Sequence, residues 1–216
     1  MRISQLSAES GVPIPTIKYY LREGILPPGE QTSATRAEYG QAHLRRLRLI
    51  RALLEVGRLS VAAIGKILEA VDDESLSMHA MLGTAHYALS PAVEPHEDSP
   101  AWTEAYELVN QLIDEFGWEI TPDAPAREEL AHTLLTLRQL GAEPTLADLV
   151  PYATAAQTLV QTHEIHKIPL DAPRESAVEA LVIGTVMYGR VLDAIRLLAE
   201  ESVSARTLAG RPVTGS

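Results

Sequence analysis

The sequence predicts an all-α protein carrying one small β-hairpin near its start. Three observations lead there. Apolar volume comes mainly from Ala, Leu, Val and Ile, with one Phe, two Trp and seven Tyr in 216 residues, and Leu and Ala favour helix. Alternating β-branched stretches bounded by turns are hard to find. The exception is residues 25–39, ILPPGEQTSATRAEY, whose Pro, Gly, Ser and Thr suit a hairpin or extended loop.

The elements follow in order. Ser4 to Ser10 fits a short helix stopped by Gly11, a left-handed cap residue, with Ile3, Leu6 and Val12 turned inward. A second helix runs from about Pro15 to Glu23 and ends at Gly24; proline is tolerated in a first turn, where its missing N–H costs nothing. After the hairpin, Gln41 to Val56 places Leu44, Leu47, Ile50, Leu53 and Leu54 on one stripe, with Arg45, Arg46, Arg48 and Arg51 mostly elsewhere. Gly57 stops it, and Ser60 caps a short helix with Val61, Ile64, Ile67 and Leu68. Asp72-Asp73-Glu74 suits the positive end of a further helix over 72–89. Residues 90–100, SPAVEPHEDSP, read as a linker.

Four helices are expected beyond it. Ser99-Pro100 starts the first and Gly117 stops it; the second spans Thr121-Pro122 to Gly141. The third runs from Thr145 to about His166, bent at Pro151, and the last from Pro173 to about Ser204. The organisation is therefore a head over 1–70, a connecting helix and linker over 71–98, an all-helical effector-binding and dimerisation domain over 99–205, and a flexible tail over 206–216.

Bulk properties narrow the function. No run of about 18 uncharged apolar residues exists, so no membrane partner is expected, and the polar, amphipathic start lacks a signal-peptide core, which predicts a cytoplasmic protein. The absence of cysteine excludes disulfides, thiolate metal sites and thiol redox sensing. The net charge of −11 hides an asymmetry. Residues 1–70 hold ten Lys+Arg against six Asp+Glu, net +4; residues 71–216 hold eight against 23, net −15. A basic head on an acidic body points the head toward a polyanion.

Two short helices joined by a tight turn make a helix-turn-helix, whose second helix enters a major groove. Here that helix carries Thr16, Lys18, Tyr19, Tyr20 and Arg22, donors suited to phosphates and base edges, and the hairpin adds Arg36 and Tyr39 as a wing. The same spacing also fits a helical pair whose cations are merely solvated. The specific residues go further. RISQLSAESGVPIPTIKYYLREGILPP, then TRAEY, then HLRRLRLIRALLEVGRLSVAAIGKIL resemble the MerR family of bacterial transcription regulators over about a third of the chain. Ile3, Leu6, Gly11, Val12, Thr16, Ile17, Tyr19, Tyr20, Gly24, Leu26, Pro28, Arg36, Tyr39, Leu47, Ile50, Gly57 and Ile64 carry the match.

The resemblance implies a winged helix-turn-helix and a homodimer on a palindromic operator in double-stranded promoter DNA. It implies that effector binding distorts this DNA, with RNA polymerase an indirect partner at the promoter. Thr16, Lys18 and Tyr19 would be recognition-helix contacts, Tyr20 a phosphate or packing residue, and Arg36 and Tyr39 wing contacts. Three positions depart from the pattern. Pro13 replaces a small polar cap, Leu21 replaces an acidic residue, and Lys18 replaces Arg with a point charge.

For the body, an effector pocket is expected among Trp102, Tyr106, Trp118, Tyr152 and Tyr188, suited to an apolar small molecule, though aromatics at helical spacing also serve as plain core. Val182, Val186 and Gly189 are expected at a dimer contact, since the last helix is apolar around most of its circumference; a core helix of a monomer is the other reading. His163, Glu164 and His166 are the one metal-like cluster and fit better as an exposed helix end. No phosphate loop or catalytic signature is present, so neither enzyme activity nor a cofactor is expected, and the alternative to a ligand-responsive regulator is one whose body serves only dimerisation or protein contacts.

Overall fold

The computed structural model describes residues 1–33, 36–90, 93 and 99–208. Most of the expected linker and the tail from residue 209 onward lie outside the described residues.

The chain begins with α1 (Ile3–Ser10) and α2 (Ile14–Arg22). Gln5 Oε1 accepts the Arg2 backbone N–H at 2.8 Å, which opens α1, and Gly11 closes it at φ 70°. The turn is then tied twice: Ser7 Oγ donates to the Val12 carbonyl at 2.7 Å, and Ser10 Oγ accepts the Val12 N–H at 3.2 Å. Strands β1 (Glu30–Ser33) and β2 (Arg36–Glu38) pair antiparallel, Glu30 opposite Glu38 and Gln31 opposite Ala37. At the root of this hairpin Tyr39 exchanges two backbone hydrogen bonds with Met1, each 2.8 Å.

Helix α3 (Gln41–Arg51) continues without interruption into a π-helical turn, Ala52–Val56. Leu44, Leu47, Ile50 and Leu53 are buried as the stripe requires, and Leu49 is buried as well. Helix α4 (Val61–Asp72) is capped by Ser60, whose Oγ accepts from Ala63. It runs through Asp72, so the acidic triplet 72–74 lies at the C-terminal end of α4 and does not open the next helix. Ser77 caps α5 (Met78–Leu89) instead. Carboxylates at a helix C-terminus are unfavourable. Asp72 is offset by an ion pair to the buried Arg46, 26 positions away, and the terminal carbonyls are met by Arg174.

Helices α6 (Pro100–Phe116), α7 (Pro125–Gln139) and α8 (Leu146–Leu159) form a second layer. Ser99 caps α6 and Gly117, at φ 61°, ends it. Ala105, Leu108 and Val109 of α6 meet Ala131, Leu134 and Leu135 of α7 in a small core of their own. Thr145 and Asp148 cap the start of α8 reciprocally. Pro151 lies inside α8, and the departure from α geometry comes later, in a π-helical turn at Val160–Glu164 and a 3₁₀ turn at Ile165–Lys167.

The chain then returns to its beginning. Val178 and Val182 of α9 (Arg174–Ile183) are fully buried in the core built by α1–α5. The boundary expected at residue 70 thus falls inside α4, and α5 and α9 complete the core of the head. A third π-helical turn, Gly184–Tyr188, leads into α10 (Gly189–Leu208), a 20-residue helix without a single buried residue.

Candidate nucleic-acid interface

The head presents α2 and the hairpin. Ile17 and Tyr20 of α2 face the core, which leaves Thr16 half-buried and Lys18 exposed on the outer side. Tyr19 is also half-buried; its ring lies 5.9 Å from that of Tyr20, and the Arg22 guanidinium sits 5.2 Å from its centroid. Arg22 further contacts Glu23 at 3.3 Å. Lys18 and Arg36 are exposed, and neither side chain has a partner among the described residues. Residues 34 and 35 lie outside the described residues.

Two of the expected contact residues are core residues. Tyr20 is 6% exposed and Tyr39 7% exposed. Burial raises the Tyr20 phenol above its ordinary value, with Glu55 and Tyr19 adding to the shift and Arg51 opposing it. Tyr39 packs edge-on against His43, with centroids 5.2 Å apart. A Cβ on Gly29 would stand 2.7 Å from the Glu38 carbonyl and 3.0 Å from the Tyr39 ring, so the wing root closes only around glycine. These tyrosines hold α2 and the hairpin in place. Arg2, which sequence reasoning passed over, joins Thr32 and Arg36 in lining a groove of about 380 Å³ between α1 and the wing. Its one signal was a cation directly ahead of the first helix.

The arginines of α3 divide by role. Arg46 is buried and committed to Asp72. Arg51 donates from Nη1 to the Ser10 carbonyl at 3.1 Å and pairs with Glu55 at 3.0 Å, clamping the turn between α1 and α2. Of the other two, Arg48 is exposed and Arg45 half-buried.

The body does not gather the aromatics into one pocket. Trp102 and Tyr106, centroids 6.0 Å apart, pack on the α6–α7 core, with Arg127 over the Tyr106 ring. Trp118 stacks near Phe116 and donates from Nε1 to Gln157 at 3.4 Å. Tyr152 is 68% exposed. Tyr188 lines a cavity between α5, the turns that follow α8, and α9 with the π-helical turn after it. Val182, expected at a dimer contact, is buried within its own chain, because the stripe it shares with Val178 meets α3 and α5; Val186 is half-buried and Gly189 exposed. His163 stands edge-on to Tyr188, and among the described residues no group of three or more His, Asp or Glu is placed to share a metal ion. No described helix is long and apolar enough to cross a membrane.

A helix-turn-helix braced by a small antiparallel hairpin, with unpaired cations on its outer side, defines the class of helix-turn-helix regulatory proteins. Residues 1–71 match the model of the MerR HTH family regulatory proteins, so this third of the chain is a MerR-type helix-turn-helix domain. It is similar to the HTH-type transcriptional regulator ZntR homolog of Haemophilus influenzae, 38% identical over 50 residues, which is 23% of this chain and 37% of that relative's length. It is 28% identical over 132 residues to heavy metal-dependent transcription regulator 2 of Rhizobium meliloti, covering 61% of this chain and 87% of the relative. It also resembles the crystal structure of SCO5550 from Streptomyces coelicolor A3(2), described as a transcriptional regulator. The TM-score there is 0.74 and the identity 37%, over 95% of this chain and 97% of that one. The likeness to SCO5550 thus extends through the helical body, well past the family model's last residue.

Proposed function

We propose that the chain is a homodimeric transcription regulator that binds a palindromic operator in promoter DNA and responds to a small-molecule effector by distorting that DNA. The observation that carries the reading is the outer side of the head, where Lys18 and Arg36 stand exposed and unpaired on a +4 segment, with Thr16, Tyr19 and Arg22 beside them. Lys18 and Arg36 contact phosphates, and Thr16 and Tyr19 face base edges. Arg2 joins the wing contacts. RNA polymerase is reached only through the promoter, and the working location is the cytoplasm, at the nucleoid.

Dimerisation is supported by α10. Val191, Ile195 and Leu198 are 47%, 56% and 66% exposed and follow Tyr188 at alternating spacings of three and four, the seam of a coiled coil. An isolated helix of this length is marginal in water without a partner for its apolar side. A second copy supplies that partner, and its two-fold axis gives two heads one DNA turn apart, roughly 34–36 Å.

One observation favours the narrower alternative, in which the body serves only dimerisation or protein contacts: Trp102 and Tyr106 are occupied in packing α6 against α7. The deciding experiment is a footprint on the DNA upstream of the protein's own reading frame, with and without small molecules. Protection of a two-fold symmetric site that changes on adding one compound supports the full reading. Protection indifferent to every compound favours the alternative, and no protection at low salt refutes both.

A further inference from the structure

The cavity beside Tyr188 holds about 380 Å³, within the usual size of small-molecule sites, roughly 300–1,000 Å³. Its lining is almost wholly apolar, from Val160, Ile165, Ile168, Ala180 and Ile183 besides the tyrosine ring. His86, Thr185, Glu164 and Lys167 also line it, and the carboxylate and the ammonium offset each other. Two walls are π-helical turns, Val160–Glu164 and Gly184–Tyr188. Such turns are rare and recur at functional sites. The Tyr188 ring is held by the Lys167 ammonium, 3.6 Å from its centroid, and by the edge of His163. A Cβ on Gly184 would meet nothing within 4 Å, so the space beside the joint is unfilled.

We propose that this cavity binds a largely apolar, uncharged small molecule and passes its occupancy to the head through α9. This helix has two faces. Ala180 and Ile183 line the cavity, while Val178 and Val182 are fully buried in the core of the head and Arg174 is bonded to the end of α4. An occupant that shifts α9 shifts the packing under α3, the helix that clamps the helix-turn-helix turn through Arg51. The consequence for DNA rests on the regulator reading; the binding does not.

The test titrates the full-length protein with Nile red, a neutral apolar dye, and follows its fluorescence. Saturable binding at one site per chain is expected, weakened at least tenfold by Ala180→Phe, which fills the space. Thr185→Trp is the second filling variant should circular dichroism show the first to be unfolded. Three results overturn the proposal. One is no saturable binding by the wild type. Another is wild-type binding by a folded filling variant. The third is exclusion of the dye by a dimer whose dissociated form admits it, which makes the cavity a seat for protein. Preference for an anionic naphthalene sulfonate or a lipophilic cation overturns the uncharged class. Gel shifts on the same samples separate the two readings: dye binding without DNA binding sinks the regulator, and DNA binding without dye binding sinks this site alone.

Discussion

Arg174 donates from Nε to the backbone carbonyl of Val71, 103 positions earlier, at 2.9 Å. The same guanidinium meets the carbonyls of Ala70, Leu76 and Asp73, each at 3.0 Å. A helix leaves its last carbonyls without partners, and the usual remedy is a local cap. At the end of α4 the remedy comes from the far side of the chain, so this terminus is complete only when α9 is docked. The head and the C-terminal third are joined by a polar latch as well as by Val178 and Val182.

Arg174→Met keeps the apolar stem and removes the latch. Losing charge-assisted bonds to part-buried carbonyls is expected to cost about 2–3 kcal/mol of stability. Urea denaturation of the two proteins measures it. Arg174→Lys recovers little, since an ammonium cannot span four carbonyls from one planar group. A loss below about 0.5 kcal/mol for the Met variant would show that the latch is incidental.

Tyr39 separates packing from DNA contact. Its ring is buried over Gly29 and against His43. Tyr39→Phe is expected to bind operator DNA within about twofold of the wild type, whereas Tyr39→Ala loses about 3–5 kcal/mol of stability, the usual cost of truncating a buried aromatic. A large loss of DNA affinity in Tyr39→Phe, with unchanged melting temperature, would return the hydroxyl to the interface.

Features set within a few residues were legible in the sequence. Gly11, Gly117, Ser60 and Ser99 stop or start helices as local capping chemistry requires, and the stripe Leu44–Leu47–Ile50–Leu53 faces the core. Features decided by distant partners were not. The acidic run 72–74 suits a helix start by its dipole, yet Arg46 and Arg174 make it tolerable at a helix end. Arg46 counts as surface charge until Asp72 is known to lie beside it. Val182 sits on a helix apolar all round, and periodicity alone does not say which apolar side meets the chain's own core and which meets a partner. Trp102 and Tyr106, one turn apart, have the spacing of a pocket and equally of a helix interface; the structure uses the latter.

Arg36 and Arg46 are both cations of the head, but Arg36 is exposed and unpaired whereas Arg46 is buried and paired with Asp72. Arg36→Ala is expected to leave stability unchanged and to lower the slope of log affinity against log salt by about one, the signature of a lost phosphate contact. Arg46→Met, with its partner Asp72 left on the surface, alters melting and not the salt slope. Asp72→Asn strands a buried guanidinium and is expected to cost about 1–3 kcal/mol. Gel shifts at several salt concentrations and thermal melts of all three variants check this, and equal salt slopes for Arg36→Ala and the wild type would remove the wing contact.

Glu179 of α9 supplies a pH dependence. Burial raises its carboxyl above the ordinary glutamate value, and the Arg48 charge partly pulls it back. An acid whose native value is raised holds its proton longer in the folded chain than in the unfolded one. Stability therefore falls as pH rises through the window between the two values, and the cost is fully present above the higher one. Glu179→Gln is expected to melt higher than the wild type at pH 7. The gain should vanish once pH drops below about 4.3, where the carboxyl is protonated in both states. A lower melting point at pH 7 would mean that the attraction to Arg48 outweighs the burial.

The bare side of α10 makes the last prediction. Val191, Ile195 and Leu198 recur every three to four residues on a helix that touches no core of its own, and each is about half exposed or more. Left in water, that surface gains nothing from folding; against the same surface of a second copy it buries two or three side chains per chain, each worth about 1.5–3 kcal/mol when fully enclosed. Ile195→Asp places a carboxylate at the centre of the seam, where a dimer brings two like charges together and strips their water. Sedimentation equilibrium should show a dimer for the wild type and a monomer for the variant at micromolar concentration. Because Ile195 is exposed within the chain, the variant should keep its helical circular dichroism, so the change reports association and not unfolding. Its operator affinity should fall to that of a single half-site. A wild type that sediments as a monomer, or a variant that remains dimeric, would place the two-fold contact elsewhere on the surface.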